Sequence, residues 1–255
     1  MFPLKDDNPT EMVPYVTLAI IVACVVVWVQ VQGAGMSESA FVGSICDLGA
    51  IPAEVTGAVT PGQRLPLGQG VSCVAGGYTW AALFTSLFLH GGWLHLIGNM
   101  WFLWIFGNNV EDSMGHTRFV IFYLFTGLLA TAAHVVSAPD SAIPTVGASG
   151  AISGIMGAYM VLYPKAKVDT FIFLLIFVKI IKVPAALFLG LWFVMQLGSS
   201  FAPTGAGGGV AFWAHIGGFV AGAVLIKLFE NRQLVTAKKA GVVLPRATIR
   251  HSGWM

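Results

Sequence analysis

The sequence predicts an all-α membrane protein, a bundle of six transmembrane helices with both termini in the cytoplasm. Of its 255 residues 56% are hydrophobic and only 9% charged, and the mean hydropathy is +0.81, where a soluble domain carries about a quarter charged residues. Six apolar segments come close to the roughly 20 residues needed to cross a bilayer. With the N-terminus placed inside, Arg64 is the one residue of the 13 Lys and Arg that falls outside, which is the bias that orients membrane proteins. A net charge of +2, with no basic run interleaved with aromatics, sets nucleic-acid binding aside.

Taken in order, residues 1–13 form a short cytoplasmic segment carrying Asp6, Asp7 and Glu11. The apolar run Pro14–Gln32 that follows is too long for a signal-peptide core and lacks a small-x-small cleavage site, so it is expected to remain as the first span. The outer loop 33–79 is rich in Gly and Pro and contains Cys46 and Cys73, while Cys24 lies in the first span. A Cys46–Cys73 disulfide and a pair of free thiols are both open at this stage. The second to fourth spans are Trp93–Gly107, Phe119–Val136 and Ser149–Tyr163, the second and fourth being short. Phe171–Val183 is apolar but only 13 residues long, holds Lys179 and Lys182, and stops at Pro184. It is expected to lie at the interface, because a crossing there would carry the C-terminal basic cluster to the wrong side. Pro184–Phe201 and Val210–Phe229 complete a membrane domain over residues 14–230. The tail 231–255 is polar and basic, suited to a cytoplasmic surface of anionic lipid.

Polar side chains within spans are expensive and so are functional candidates. His95 and Asn99 stand four apart on the second span and share a face, as do Ser149 and Ser153 on the fourth; His215 stands on the sixth in Trp213-Ala214-His215-Ile216-Gly217-Gly218. All three spans enter from the outer face. At about 1.5 Å per residue, Asn99, Ser149 and His215 fall within roughly 10 Å of the outer surface. A serine, a histidine and an amide at one level supply what acyl transfer needs. Neutral His215 can take the proton of Ser149, and the free N–H groups at a helix start favour an oxyanion, to which Asn99 and His95 add side-chain donors. No Asp or Glu lies inside the six segments as drawn, so the expected machine is a Ser149–His215 dyad.

Each residue also has a structural reading. Gly147, Gly150 and Gly154, with Gly218 and Gly222, match the small-xxx-small spacing that lets helices approach. Here both readings hold, since close approach of the fourth and sixth spans brings Ser149 to His215. Ser149 alone reads as a helix cap and His215 alone as a satisfied buried histidine; it is their conjunction that carries the assignment. His90 and His134 receive no catalytic role. His90 and His95 are off one another's face and have no carboxylate partner, so neither a metal nor another cofactor is expected. The hydrolase nucleophile elbow is excluded by Ala151, where it requires glycine.

The motifs Gly147-Ala148-Ser149-Gly150, Ala214-His215 with Gly218 and Gly222, and His95-x-x-x-Asn99, with Gly107 and Glu111 to Gly115, resemble the rhomboid family of intramembrane serine proteases. Together they cover most of residues 81–229. The resemblance implies the six-helix fold, Ser149 as nucleophile, His215 as base, and Asn99 and His95 in the oxyanion hole. Some family members carry an aromatic four residues after the serine that packs on the histidine. Here that place is Ser153, so Trp213 or Phe212 is expected to support the His215 ring. The family's Trp-Arg pair in the first loop is missing. The implied substrate is a transmembrane segment of another protein, cut near the outer surface, with the fifth span as gate and the loops 137–146 and 202–209 as mobile caps. A bacterial inner membrane is the expected location. The rival expectation is a catalytically silent relative that binds membrane clients.

Overall fold

The computed structural model describes residues 1–68, 70–76, 79–174, 177–201 and 211–242. Its helices are α1 (Tyr15–Val26, continued by a wider turn to Val31), α2 (Glu38–Leu48), α3 (Pro52–Val55), α4 (Thr79–Thr85), α5 (Trp93–Met114), α6 (His116–Ser137), α7 (Ser149–Leu162), α8 (Ala185–Ser200), α9 (Phe212–Phe229) and α10 (Arg232–Lys239). Among the described residues, α6 and α9 are each long and apolar enough to cross a membrane. Thr79–Phe88 and α5 are long and apolar enough only when taken together, as a pair bent by 76°, and Tyr15–Val31, α7 and α8 are shorter apolar helices.

The chain is mostly helical, as expected, but it is not purely α: five strands are present among the described residues. β1 (Phe2–Asp6), β4 (Lys167–Leu174) and β5 (Phe177–Pro184) form an antiparallel sheet in the order β1-β4-β5, and β2 (Arg64–Gly68) pairs with β3 (Val71–Val74). The stretch Phe171–Val183, expected at the interface, therefore falls on β4 and β5. Their register from Lys167 opposite Pro184 to Leu174 opposite Phe177 makes use of a run rich in Val, Ile, Thr and Phe, residues that fit a pleated surface better than a helix. Val168 and Val183 bury one face against the bundle, while Phe173, Val178 and Ile180 stay exposed.

Cys46 and Cys73 are disulfide-bonded and staple a small lobe with its own core of Ile51, Ala53, Leu65 and Ala75. The lobe reaches the segment that precedes α7: Ala50 and Thr145 exchange both backbone hydrogen bonds, at 3.1 and 2.8 Å. The loop 137–146 is thereby tied to the lobe, whereas loop 202–209 lies outside the described residues.

At the opposite end of the bundle α5 continues to Met114, seven residues past the predicted end of the second span. It thus carries Glu111 and Asp112 into buried positions, where the sequence reading had no carboxylates. Both serve the chain. Glu111 accepts from Val16 N, Thr17 N and Thr17 Oγ1 at 2.6 to 2.9 Å, which satisfies the otherwise unpaired N–H groups at the start of α1 and opposes its dipole. Asp112 accepts from Met12 N at 2.9 Å and from Lys238 Nζ at 2.8 Å, docking α10 on α5.

Beside them, Asp6 accepts from Tyr159 Oη at 2.5 Å and from Asn109 Nδ2 at 2.8 Å. Burial pushes its carboxyl up from 3.8 to about 6. The folded chain therefore holds a proton that the unfolded chain has released, and stability falls as pH rises from about 4 to about 6, with the full penalty present above that window. Asp6→Asn removes this dependence. The loss of melting temperature in detergent between about pH 4 and about pH 7 is expected to be smaller in the variant than in the wild type, and equal losses would contradict the assignment.

What positions the site is the contact of α7 with α9. A Cβ placed on Gly218 would run into the backbone oxygen of Gly150, and one on Gly222 into that of Gly154. Glycine at these positions lets the two backbones touch. Around this seam lies the main core, including Phe106, Phe119, Phe122, Tyr123, Ile155 and Tyr159, all fully buried.

Candidate active site

Ser149 is the first residue of α7. The first intrahelical bond is donated by Ile152 to Ala148 O at 2.9 Å, so the N–H groups of Ser149, Gly150 and Ala151 precede the hydrogen-bonded ladder at the positive end of the helix. His215 lies in the first turn of α9. Helix contact brings them together: Ser149 Oγ is 2.8 Å from His215 Nε2. Ser153 points back, donating from Oγ to Ser149 O at 2.6 Å, which gives it a local structural role.

His95 and Asn99 both reach the same cavity of about 550 Å³, lined by residues of α5, α7, α8 and α9. His95 Nδ1 accepts from Gly91 N at 3.1 Å, so in the neutral ring the proton sits on Nε2, which becomes a donor. That edge faces Gly147, where φ is +129° and an added Cβ would come within 2.9 Å of Nε2. Glycine is needed there on both counts, strain and space. Asn99 is buried, and its Nδ2 has no partner within the described chain. An orphaned donor in a cavity wall is costly unless something else accepts from it.

The turn ahead of α5 is fixed by Gln32, fully buried, which donates from Nε2 to His90 O and accepts from His90 N, both at 2.8 Å. His90 in turn packs edge-on against His95, ring centroids 5.3 Å apart.

Two residues around His215 were missed by sequence reasoning. Gln196 Oε1 lies 2.7 Å from His215 Nδ1, and the Trp192 ring lies 5.9 Å from the imidazole at 39°. Both come from α8. Of the two supports expected, Trp213 instead pairs edge-on with Phe201 and is 38% exposed. A signal for Gln196 existed, since it is an amide inside the fifth apolar segment. Trp192 carried none that separates it from other apolar helix residues.

A sequence profile of the rhomboid domain matches residues 77–232. The chain belongs to the rhomboid family. Related sequences include the rhomboid protease GluP of Bacillus subtilis, 41% identical over 81 residues, which is 32% of this chain and 15% of that protein. The rhomboid-like protein 11, chloroplastic, of Arabidopsis thaliana is 41% identical over 76 residues, 30% of this chain and 27% of that protein. Rhomboid protein 1, mitochondrial, of Saccharomyces cerevisiae is 29% identical over 146 residues, 54% of this chain and 39% of that protein. The matched stretches thus span less than half the length of these relatives. Rhomboid membership and the apolar helices together make this an integral membrane protein.

Proposed function

We propose that this rhomboid protein is an intramembrane serine endopeptidase that cleaves transmembrane segments of other proteins near the outer face of a bacterial inner membrane. In this reading α1, α5, α6, α7, α8 and α9 are its six spans over residues 14–230, and the segments 1–13 and 231–255 lie in the cytoplasm. The observation that carries it is the 2.8 Å approach of Ser149 Oγ to His215 Nε2 at the wall of a cavity.

The chemistry follows from the donors and acceptors in place. His215 Nε2 removes the hydroxyl proton as Ser149 Oγ attacks the scissile carbonyl. The carbonyl oxygen becomes an oxyanion, for which Asn99 Nδ2, His95 Nε2–H and the first N–H groups of α7 are the available donors. The tetrahedral adduct collapses, the C–N bond breaks, and the proton on His215 passes to the leaving amine. Water then repeats the sequence on the acyl-enzyme, and Ser149 is regenerated. A helical substrate hides its carbonyls in hydrogen bonds, so the scissile stretch must unwind, which favours sequences weakened by Gly, Ala or Pro.

A fluorophosphonate probe tests this reading. The wild type is expected to label covalently, and Ser149→Ala and His215→Ala to remain unlabelled. Equal labelling of wild type and Ser149→Ala would sink the reading and favour a silent, client-binding rhomboid.

A further inference from the structure

Resting on the serine-protease reading, we propose that Gln196 is a positioning residue for the base, making the reacting centre a Ser149–His215–Gln196 chain whose last member rides on α8. A neutral imidazole carries a single N–H. For Nε2 to accept from Ser149 Oγ, that proton must sit on Nδ1; the opposite tautomer donates to the serine and is useless as a base. The oxygen of Gln196, 2.7 Å from Nδ1, selects the productive tautomer and fixes the plane of the ring, as outer-shell acceptors do for histidines elsewhere. The same requirement sets the orientation of the amide, with Oε1 toward the ring.

An amide also suits the place. Among apolar helices a carboxylate would have to be stripped of water, and none lines the cavity among the described residues. The amide accepts from Nδ1–H without a charge of its own. Once His215 has taken the serine proton, the same bond becomes charge-assisted and therefore stronger. Its contribution rises in the transition state, so it belongs in turnover more than in binding.

Trp192 stands four residues before Gln196 and so shares its helix face. One turn of α8 thus supplies both a flank of the imidazole and its hydrogen-bond acceptor. The fully packed residues of α8 lie at its other end, at Ala185, Phe188 and Leu189. The Trp192–Gln196 turn is held to α9 by Phe193 and Trp192, whose rings lie 4.8 and 6.0 Å from that of Phe219. The base is therefore assembled while this turn lies against α9 and loses its acceptor when the turn moves away. The other titratable groups near the ring are His95 on α5 and His134 on α6, with the Ser149 hydroxyl on α7.

Gln196→Leu and Gln196→Glu, assayed on a reporter transmembrane substrate, separate positioning from packing. The leucine variant keeps the bulk and loses the acceptor. Its kcat is expected to fall about 10- to 100-fold, with KM changed less than about twofold. The glutamate variant restores an acceptor. It is expected to recover most of kcat and to move the acid limb of the kcat/KM profile upward by about one pH unit, because a carboxylate favours the imidazolium. A filler of space would move no limb. Full activity in the leucine variant, equal losses in both variants, or an unmoved acid limb in the glutamate variant each overturn the proposal. Absence of Ser149-dependent labelling and cleavage in the wild type is a different result, since it removes the protease reading itself.

Discussion

Ser149→Ala and His215→Ala are each expected to lower kcat on a transmembrane substrate by about 10⁴- to 10⁶-fold, and the double variant is expected to be no worse than either single one. The reason lies in the 2.8 Å contact between Oγ and Nε2. Without the imidazole, the serine hydroxyl has no base within reach, and without the hydroxyl the base has no nucleophile to activate, so each substitution removes the whole covalent route. Asn99→Ala removes a donor and leaves that route intact. A loss of about 10²- to 10³-fold in kcat, with KM nearly unchanged, is expected for it, because the free Nδ2 is needed once the oxyanion forms. Additive losses in the Ser149–His215 double variant, or a pure KM effect in Asn99→Ala, would show that the three residues do not act as one centre. Steady-state cleavage in detergent micelles or proteoliposomes measures all four variants.

The residues of the candidate site were easier to pick out than the strands and the buried carboxylates, and there are physical reasons for both. Ser149, His215, His95 and Asn99 could be picked out because a polar group in an apolar segment needs a reason to be there, and topology then placed them at one depth. Gln196 satisfies the same criterion, but its partner is His215 on another helix, and spacing along the chain does not show which amide meets that ring. Glu111 and Asp112 were hidden differently. Their charges marked the end of the apolar run at Gly107, yet the helix continues to Met114 because α1, the N-terminal segment and α10 bring donors to both carboxylates. Hydropathy measures the cost of burying a group alone and does not register partners that arrive from distant sequence. The β4–β5 arm was lost to a related blind spot. A run apolar on both faces has no period to read, and it is its pairing, β4 with β5 and β4 with β1 more than a hundred and sixty residues earlier, that shows it to be sheet.

These charges divide the molecule. Among the described residues the buried carboxylates Glu111 and Asp112 lie at the end opposite the candidate site, committed to the start of α1 and to Lys238. The cavity end is built from neutral donors and acceptors: a hydroxyl, imidazoles, amides and helix N–H groups. Such groups keep their hydrogen-bonding geometry without the desolvation cost of a full charge. A neutral machine depends on distance, because no strong field remains to compensate for a displaced partner. The α7–α9 seam is therefore where a small steric change should act most strongly on chemistry.

Gly222→Ala is expected to cost about 3 kcal/mol of stability, near the upper end for overpacking by a methyl group, and to slow fluorophosphonate labelling about 100-fold. The added Cβ would lie 2.5 Å from the carbonyl carbon and 2.6 Å from the Cα of Gly154. These are backbone atoms, and no flexible side chain stands in the way that might rotate aside. Restoring an ordinary contact of 3.4 to 4 Å obliges α7 and α9 to part by at least about one ångström, and a shift of that size at the reacting atoms is worth about 10²-fold. With the seam opened, Ser149 Oγ and His215 Nε2, now 2.8 Å apart, leave hydrogen-bond range. Gly190→Ala supplies the control. It lies on α8, where a Cβ meets nothing within 4 Å, and the same added methyl is expected to be neutral or to stabilise by up to about 1 kcal/mol through helix propensity. Melting temperature in detergent and labelling rate, measured on both variants, should therefore fall only for Gly222→Ala. If both substitutions leave melting and labelling at wild-type values, backbone contact across α7 and α9 is not what holds the serine to its base.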